Sequence, residues 1–372
     1  MNYSLTAPVE SQRFRKESLL RKALAKQDVT TLVPLHTPAD IKLDVEGHVC
    51  GGFRFSTFAM QQFCFKLAPG LSKLVLGLTK DAWEKQLAIK LLNALSQHRF
   101  ASVLSDCRLL VDQRAKRVDG VVGARYEYLS NTALYEQCRA LAQPEKAIFH
   151  EAVLEGRRML LRYRYSDKAY GVSLEIDGKV TRHGFVTGWH FTNSEVGDRS
   201  VNVSPILIRE GTYAAAGPAP TQIQRMIHVQ TQDFARKVGE MIARSKDKAL
   251  DMPTMRAALI RISRQPLGLG GGTVEDLEKH RTALVSKLTD KGKIPHRLAE
   301  QIVNRVLAHG SEKVRVMSVT EQLTGPLLER CQHRSVYDLY SSLTGSAVSQ
   351  DIKSRERLEQ LAYRVLTNRF TV

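Results

Sequence analysis

The chain has 372 residues, enough for two domains and a sizeable buried core. Its 55 lysines and arginines exceed its 38 aspartates and glutamates by 17 charges, which favours an anionic partner, most often nucleic acid. No apolar run approaches the about 20 residues of a membrane span, the N-terminus lacks the apolar core of a secretory signal, and the five cysteines form no C-x-x-C pair. We therefore expect a cytoplasmic protein that has no membrane segment, disulfide framework or zinc ribbon.

Composition divides the chain into four segments. They are a basic N-terminal arm (1–45), an α+β core domain (46–213), a linker of composition AAAGPAP (214–220) and a helical C-terminal region (221–372). Within the core domain, residues 57–98 have helical spacing, and Asp81 is placed to cap the second of two helices.

After residue 100 the pattern changes to strands. Period-two stretches around an Arg-Val-Asp-Gly sequence at 117–120 predict a β-hairpin with its turn there. Ser130 and Asn131 then cap a short helix, and strand patterns return from 149 to 209. The predicted fold class is α+β, with a mainly antiparallel sheet that carries helices on one side and is followed by helices.

The stretch EGRRMLLRYRYSDKAYGVSLEIDG alternates as a strand, a turn and a second strand. One face of the first strand carries Met159, Leu161, Tyr163 and Tyr165, and the other carries Arg158, Leu160, Arg162 and Arg164. The first face is typical of a core. The second predicts a wetter, basic surface, because the one carboxylate across the turn, Glu175, cannot neutralise three arginines.

A basic sheet face of this kind suits the phosphate backbone of nucleic acid. The residues that we expect to contact phosphate are Lys116, Arg117, Arg125, Arg158, Arg162, Arg164 and Arg199. Tyr126 or Tyr128 would stack on a base, because alternate residues of that segment lie on opposite faces and one of the two can be exposed.

An enzymatic alternative uses Glu195, Asp198 and Glu175 as the carboxylates of a metal-dependent nuclease or nucleotidyl-processing enzyme. Asn, Ser, Gly and Asp are also the residues of a tight turn between strands, and this explanation is preferred for Asn193 to Asp198. No Ser/His/Asp signature, metal-ligand spacing or cofactor motif is recognised, so the sequence predicts no catalytic residue, metal or cofactor. Whether the chain is an enzyme stays open, with a binding protein favoured.

Four segments in order resemble one known family. They are GVVGARYEYLSNTALYEQC, LEGRRMLLRYR, FTNSEVGDRSVNVSPILIR, and VYDLYSSLTG with SRERLEQLAYRVL. Together they resemble the phage- and plasmid-like family called domain of unknown function 932: a strand ending in G-x-x-G-x-x-Y before a helix, a Gly-Arg-Arg turn, an Asn-Ser-Glu-x-Gly turn and C-terminal helices. Many members follow the third segment with a Cys-Asn pair, whereas this chain has Arg209-Glu210-Gly211-Thr212.

The resemblance implies a protein of phages or mobile elements acting in a bacterial cytoplasm, without implying an activity. The leading hypothesis is a nucleic-acid-binding protein, with DNA favoured and single-stranded DNA possible, that assists single-strand annealing, recombination or replication. A homo-oligomer is compatible with that role. The alternatives are the nuclease described above and an interaction protein that binds an acidic host partner.

Overall fold

The structure is a computed structural model of the chain. The residues that it describes are 5–7, 10–27, 30–49, 51–78, 81–124, 126, 128–143, 146–176, 179–197, 201–217, 221–222, 252–267, 274–308 and 335–370, with the side chains of 166–183 outside the description.

The strands within these ranges are β1 (Thr6–Ala7), β2 (Ser11–Phe14), β3 (Thr30–Pro34), β4 (His48–Val49), β5 (Phe53–Ser56), β6 (Cys107–Asp112), β7 (Arg117–Gly123), β8 (Ala147–Glu155), β9 (Arg158–Ile176), β10 (Lys179–Ser194), β11 (Asn202–Arg209), β12 (Ala215–Ala216) and β13 (Thr221–Gln222). The helices are α1 (Glu17–Gln27), α2 (Thr57–Leu67), α3 (Leu71–Gly77), α4 (Ala82–Arg99), α5 (Asn131–Ala142), α6 (Met252–Arg264), α7 (Val274–Asp290), α8 (His296–Ala308), α9 (Val336–Ala347) and α10 (Ile352–Leu366).

The first sheet has the strand order β1-β5-β7-β6-β3, with β4 beside β5. Strand β5 is parallel to β1 and β7, whereas β6 is antiparallel to both of its neighbours. Helices α2, α3 and α4 share an apolar core with this sheet, in which the rings of Phe55 and Phe63 stack 5.3 Å apart. Asp81 caps α4 by accepting a hydrogen bond from the Glu84 amide, which confirms the predicted cap.

The predicted hairpin exists as β6 and β7, but its turn lies four residues earlier than expected. The carboxylate of Asp112 accepts hydrogen bonds from the amides of Arg114 and Ala115, which closes the turn over residues 113–116. Lys116 completes it with a left-handed φ of 48°. The Arg-Val-Asp-Gly sequence consequently belongs to β7, where Asp119 is buried.

The second sheet has the order β12-β11-β10-β9-β8-β2, with β13 beside β11, and all its pairings are antiparallel. The β9–β10 ladder is irregular between Val186 and Gly188. A Cβ at Gly188 would lie 2.1 Å from the backbone oxygen of Tyr163, so the close approach there requires glycine. One face of the sheet packs on α1 and α5.

That face carries the predicted core residues. Met159, Leu161, Tyr163 and Tyr165 are buried in one cluster with Leu20 of α1 and Leu134 of α5, as the strand alternation predicted. Ser130 caps α5 by accepting a hydrogen bond from the Ala133 amide, which also agrees with the sequence.

The opposite face of the second sheet is covered by the C-terminal helices. Phe185, Leu207 and Ala216 of the sheet belong to the same core as α6 to α10, and Leu160 contacts Ile352 of α10. The predicted fold class, α+β with antiparallel strand pairing and C-terminal helices, is confirmed. Where its side chains are described, however, the second sheet is buried on both faces, which its sequence alternation did not indicate.

Two predicted boundary segments take part in this packing. The residues expected to form an N-terminal arm supply β2 to the second sheet and β3 to the first. In the segment expected to be a linker, Ala215 and Ala216 form β12 and are buried. The small alanine side chains let the C-terminal helices approach the sheet edge closely, so these helices share its core.

None of the helices within the described ranges is long and apolar enough to cross a membrane.

Candidate nucleic-acid interface

Arg162 was predicted to face solvent and phosphate, and the structure corrects this prediction. Its side chain is fully buried, at 0% exposure, on the sheet face that α10 covers. The carboxylates that neutralise it come from Glu151 on β8 and Glu359 on α10. Because Glu359 is 197 residues away in sequence, the local pattern around Arg162 contained no sign of it.

We call Glu151, Arg162, Arg355 and Glu359 the sheet–helix cluster. Arg162 donates to Glu151 Oε1 at 3.0 Å and to Glu359, while Arg355 Nε donates to Glu359 Oε1 at 3.0 Å and its other nitrogens reach Glu151. Both guanidinium groups also donate to the backbone oxygen of Tyr213. The two arginines and two carboxylates of the cluster balance in charge, and each is at least nine-tenths buried. Arg13, 28% exposed, lies at the edge of the cluster with its Nε 3.8 Å from Glu151.

This balance holds the carboxylates of the sheet–helix cluster in their ionised form. Burial alone would favour protonation of Glu359, but the charges of Arg162 and Arg355 outweigh burial and lower its pKa below the ordinary range. The pKa of Glu151 is lowered by the same balance of burial against both arginines. The cluster ties α10 to the sheet rather than offering charge to a ligand.

A second group, which we call the inter-sheet cluster, consists of Asp112, Asp119, Arg157 and Glu195. Arg157, in the turn between β8 and β9, donates to Asp119 at 2.7 Å, to Asp112 at 2.8 Å and to Glu195 at 3.3 Å. Asp112 and Asp119 come from the first sheet, whereas Glu195 follows the last residue of β10 in the second. The cluster therefore joins the two sheets through one buried guanidinium.

Its carboxylates outnumber its arginine by three to one, and Arg117, which pairs with Asp119 at 2.5 Å, offsets only part of the excess. Burial raises the pKa of Glu195 to about 7, against the opposing charge of Arg157 and a hydrogen bond from the Asn131 amide. Burial therefore favours the protonated form of Glu195.

Glu195 was the central residue of the nuclease alternative. Its Oε1 accepts from the Asn131 amide at 2.5 Å and its Oε2 from Arg157, and the residue is only 1% exposed. Asp198 and the Glu175 side chain lie outside the described residues. Among those that are described, no group of three His, Cys, Asp or Glu side chains is arranged to hold a metal ion.

Three further predicted residues bond to members of the inter-sheet cluster. Arg117 is engaged by Asp119, as described above. Tyr126 is half-buried and donates its hydroxyl to the Glu195 backbone oxygen at 2.5 Å, and Tyr128 bonds to the Glu195 side chain. The two tyrosines, one of which was expected to stack on a base, therefore both have hydroxyl groups bonded to Glu195.

Of the remaining predicted residues, Lys116, Arg158 and Arg164 are described. Lys116 is exposed at the β6–β7 turn, with its ammonium 4.9 Å from the Phe53 ring centre. Arg158 faces Glu155 at 3.8 Å and packs over Phe58. Arg164 is half-buried. Arg125 and Arg199 lie outside the described residues.

A different group of cations lies together on the C-terminal helices, and we call it the C-terminal basic surface. Its members are Lys291 and Lys293 in the α7–α8 turn and Lys353, Arg357 and Arg364 on α10. Arg357 donates to the Lys293 backbone oxygen at 2.8 Å, and Arg364 to that of Lys291 at 3.5 Å. Within the described part of the chain, no carboxylate lies within ion-pairing distance of these five side chains.

The α7–α8 turn is shaped to lie on α10. A Cβ at Gly292 would be 2.9 Å from Leu361 Cδ2 and 2.4 Å from the Leu288 backbone oxygen, so glycine permits this contact. Lys293 follows with a left-handed φ of 55°. The two lysines are thereby held beside Arg357 and Arg364, and their side chains are exposed.

Sequence reasoning missed this surface, although part of its signal was present. Lys353, Arg357 and Arg364 are spaced by four and seven residues and therefore share one face of a helix, extending about 16 Å along its axis. The contribution of Lys291 and Lys293 required knowledge of which turn packs on that helix.

The fold and these clusters define a two-sheet α+β protein with buried ion clusters and an exposed basic surface. No family model matches the chain, and searches of the curated proteins and of the solved structures return no match.

Proposed function

We propose that this protein binds the phosphate backbone of nucleic acid through the C-terminal basic surface, and that it assists annealing, recombination or replication of phage or plasmid DNA in a bacterial cytoplasm. The observation that carries the proposal is the group of five cations without a carboxylate partner among the described residues. The resemblance of four segments to a phage- and plasmid-like family supports the biological setting.

Arg357 and Arg364 are suited to phosphate binding because each spends one nitrogen on a backbone oxygen and keeps other N–H groups for a ligand. The same bonds restrict the guanidinium groups, which lowers the entropy lost on binding. Lys291, Lys293 and Lys353 are exposed and add charge without fixed geometry. This combination suits a backbone that is recognised by charge rather than by base sequence.

Fluorescence anisotropy with labelled single-stranded DNA, duplex DNA and RNA over a range of salt concentrations tests the proposal. If five phosphates are neutralised, the logarithm of affinity should fall against that of salt with a slope of about −4.5 on duplex and about −3.5 on single strands. Affinity for duplex would then drop by about 500-fold between 50 and 200 mM salt. Absence of binding at low salt would contradict the proposal.

The location is tested by the triple variant Lys291→Gln/Lys293→Asn/Lys353→Gln, in which Asn suits the left-handed φ at 293. Its slope on duplex should be shallower by about 2.7. The matched control is Lys16→Gln/Lys22→Gln/Lys26→Gln, which removes three exposed lysines in and beside α1. Equal losses in both variants would mean that overall charge, and not this surface, drives binding.

An acidic protein partner is the competing outcome. A pull-down from lysate treated with nuclease separates the two, because a protein partner survives the treatment whereas nucleic acid does not. Capture that persists and is lost in the triple variant would replace nucleic acid with a protein at the same surface.

A further inference from the structure

The sheet face that carries Arg162 continues beyond α10 as an open region that also contains Arg164. Arg164 of β9 lies opposite Ile148 of β8, two residues along the strand from Arg162, so both arginines are on this face. Ile148 is 42% exposed and Arg164 is half-buried, so this part of the face is accessible. Within the described part of the chain, the Arg164 guanidinium has no carboxylate or hydrogen-bond partner.

Strand β2 brings two more arginines to the same face. Arg13 is opposite Val153 of β8, which packs on α10, so Arg13 lies on the α10 side of the sheet. Arg15 follows two residues later, and alternation places it on that side as well. Its Cζ atom is 4.8 Å from the centre of the Tyr213 ring, and this ring also contacts His150 of β8 at 5.2 Å. Tyr213 therefore connects β2 with β8, the strand next to Arg164.

Positive charge exceeds negative charge in this region. Burial lowers the pKa of Arg13, and three neighbouring arginines, Arg15 among them, lower it further. Burial also lowers the pKa of His150 to about 4, and Arg164 is one of three arginines that add to this shift. In both cases the opposing charge is that of Glu151.

This carboxylate is already shared within the sheet–helix cluster, which is balanced without the arginines at its edge. We call Arg13, Arg15 and Arg164 the edge arginines. They add three positive charges, and among the described residues their only carboxylate contact is the one between Arg13 and Glu151, at 3.8 Å. An anion beside them would therefore be stabilised.

Each edge arginine keeps N–H groups for such an anion. The guanidinium of Arg15 stacks on the Tyr213 ring, which leaves the donors in its own plane free. Arg13 donates one terminal nitrogen to the Val348 backbone oxygen and keeps the other. Arg15 and Arg164 are separated by two strand spacings, about 10 Å, which two arginine side chains can close around one small anion.

We propose that the edge arginines bind a phosphate monoester beside Tyr213. A monoester carries close to two negative charges at pH 7 and presents three acceptor oxygens, which suits three arginines of which one is shared with Glu151. The same group occurs on a free nucleotide and at the 5′ end of a nucleic-acid strand. The site shares no residue with the C-terminal basic surface and does not depend on the function proposed for that surface.

Isothermal titration calorimetry of the full chain with adenosine 5′-monophosphate tests the site, with adenosine as the uncharged comparison. The monophosphate should bind and adenosine should not. Arg15→Gln/Arg164→Gln should weaken binding by about 100-fold, roughly 10-fold for each charge-assisted hydrogen bond lost. The single variant Arg15→Gln, at an exposed side chain, should lose about 10-fold and serves if the double variant does not fold.

The matched control is Arg99→Gln/Arg114→Gln, which removes two exposed arginines elsewhere and should leave the affinity unchanged. The triple variant of the C-terminal basic surface should also bind the monophosphate as the wild type does. This result would separate failure of the edge arginines from failure of the proposed function.

A single-stranded oligonucleotide with and without a 5′-phosphate identifies the source of the phosphate. Tighter binding of the phosphorylated strand, lost in the Arg15→Gln/Arg164→Gln variant, would assign the site to strand ends. Equal binding of the two strands, together with binding of the monophosphate, would assign it to a small phosphate ester. The inference is wrong if phosphorylation improves the binding of neither ligand, or if the matched control loses as much affinity as the double variant.

Discussion

The sheet–helix cluster and the inter-sheet cluster both consist of buried arginines and carboxylates, but they differ in the ratio of carboxylates to guanidinium groups. In the first, two arginines face two glutamates, and both carboxylates have lowered pKa values. In the second, three carboxylates share Arg157, and burial raises the pKa of Glu195. Burial is similar in both, so the charge balance decides the direction in which the pKa moves.

The comparison also separates charge that holds the fold together from charge that is free to bind. Arg157, Arg162 and Arg355 are ion-paired with buried carboxylates, whereas the five cations of the C-terminal basic surface have no carboxylate partner within the described residues. Net charge alone does not distinguish the two kinds, although only the second supports the proposed function.

The largest effect is expected when the balanced cluster loses an arginine. Arg162→Met should lower the free energy of unfolding by about 3–5 kcal/mol, because Glu151 and Glu359 would keep only Arg355 as a buried partner. Urea unfolding would show this as a lower midpoint at unchanged slope. Arg164→Met, two residues along the same strand but half-buried, is the control and should change stability by less than about 0.5 kcal/mol.

Removing a carboxylate from the sheet–helix cluster should lower the free energy of unfolding by less, and the size of the loss should depend on pH. Glu359→Gln should lower the free energy of unfolding by about 3 kcal/mol at pH 7. This is the lower end of the range for breaking a buried ion pair, because the Gln side chain keeps one hydrogen-bond acceptor. The lowered pKa of Glu359 means that its stabilisation is present above the ordinary value of 4.5 and is lost as pH falls through the folded pKa. The difference between variant and wild type should therefore shrink in acid; a constant difference would contradict the assignment.

The inter-sheet cluster should show the opposite pH dependence, with a smaller effect. Glu195 has a folded pKa of about 7, above its ordinary 4.5, so its contribution to stability is greatest below 4.5 and is lost as pH rises through 7. Glu195→Gln imitates the protonated carboxyl at every pH. The free energy of unfolding of the variant, measured relative to that of the wild type, should therefore rise by about 2 kcal/mol from pH 5 to pH 7. Thermal or urea unfolding at both pH values measures this gain, and a loss over the same interval would refute it.

Much of the architecture could be predicted because it depends on local patterns. Alternation placed Met159, Leu161, Tyr163 and Tyr165 in the core, and the caps at Asp81 and Ser130 were found from residue type and position. The hairpin was found but its turn was misplaced, because Asp112 closes the turn through its side chain and a Gly-containing tetrapeptide nearby gave a stronger signal.

The candidate site was less predictable, because exposure depends on contacts between distant residues. Alternation correctly separated Arg162 from the tyrosine face, but it could not show that α10 lies over that second face. An alternating strand pattern fits a sheet that is covered on one face only. It also fits a sheet that is covered on both faces, if the helix over the second face supplies carboxylates that pair with the arginines there. Arg162 was therefore assigned to solvent, although it is buried in the core.

By itself, then, the sequence determined the α+β class, the helix caps, the tyrosine core of β9 and the large positive charge, since each follows from composition or from periods of two and 3.6 residues. Only the tertiary structure decided which cations are neutralised. Glu359 lies 197 residues from Arg162, and Lys291 lies 73 residues from Arg364, so these relations arise when helices pack on a sheet and leave no local trace in the chain.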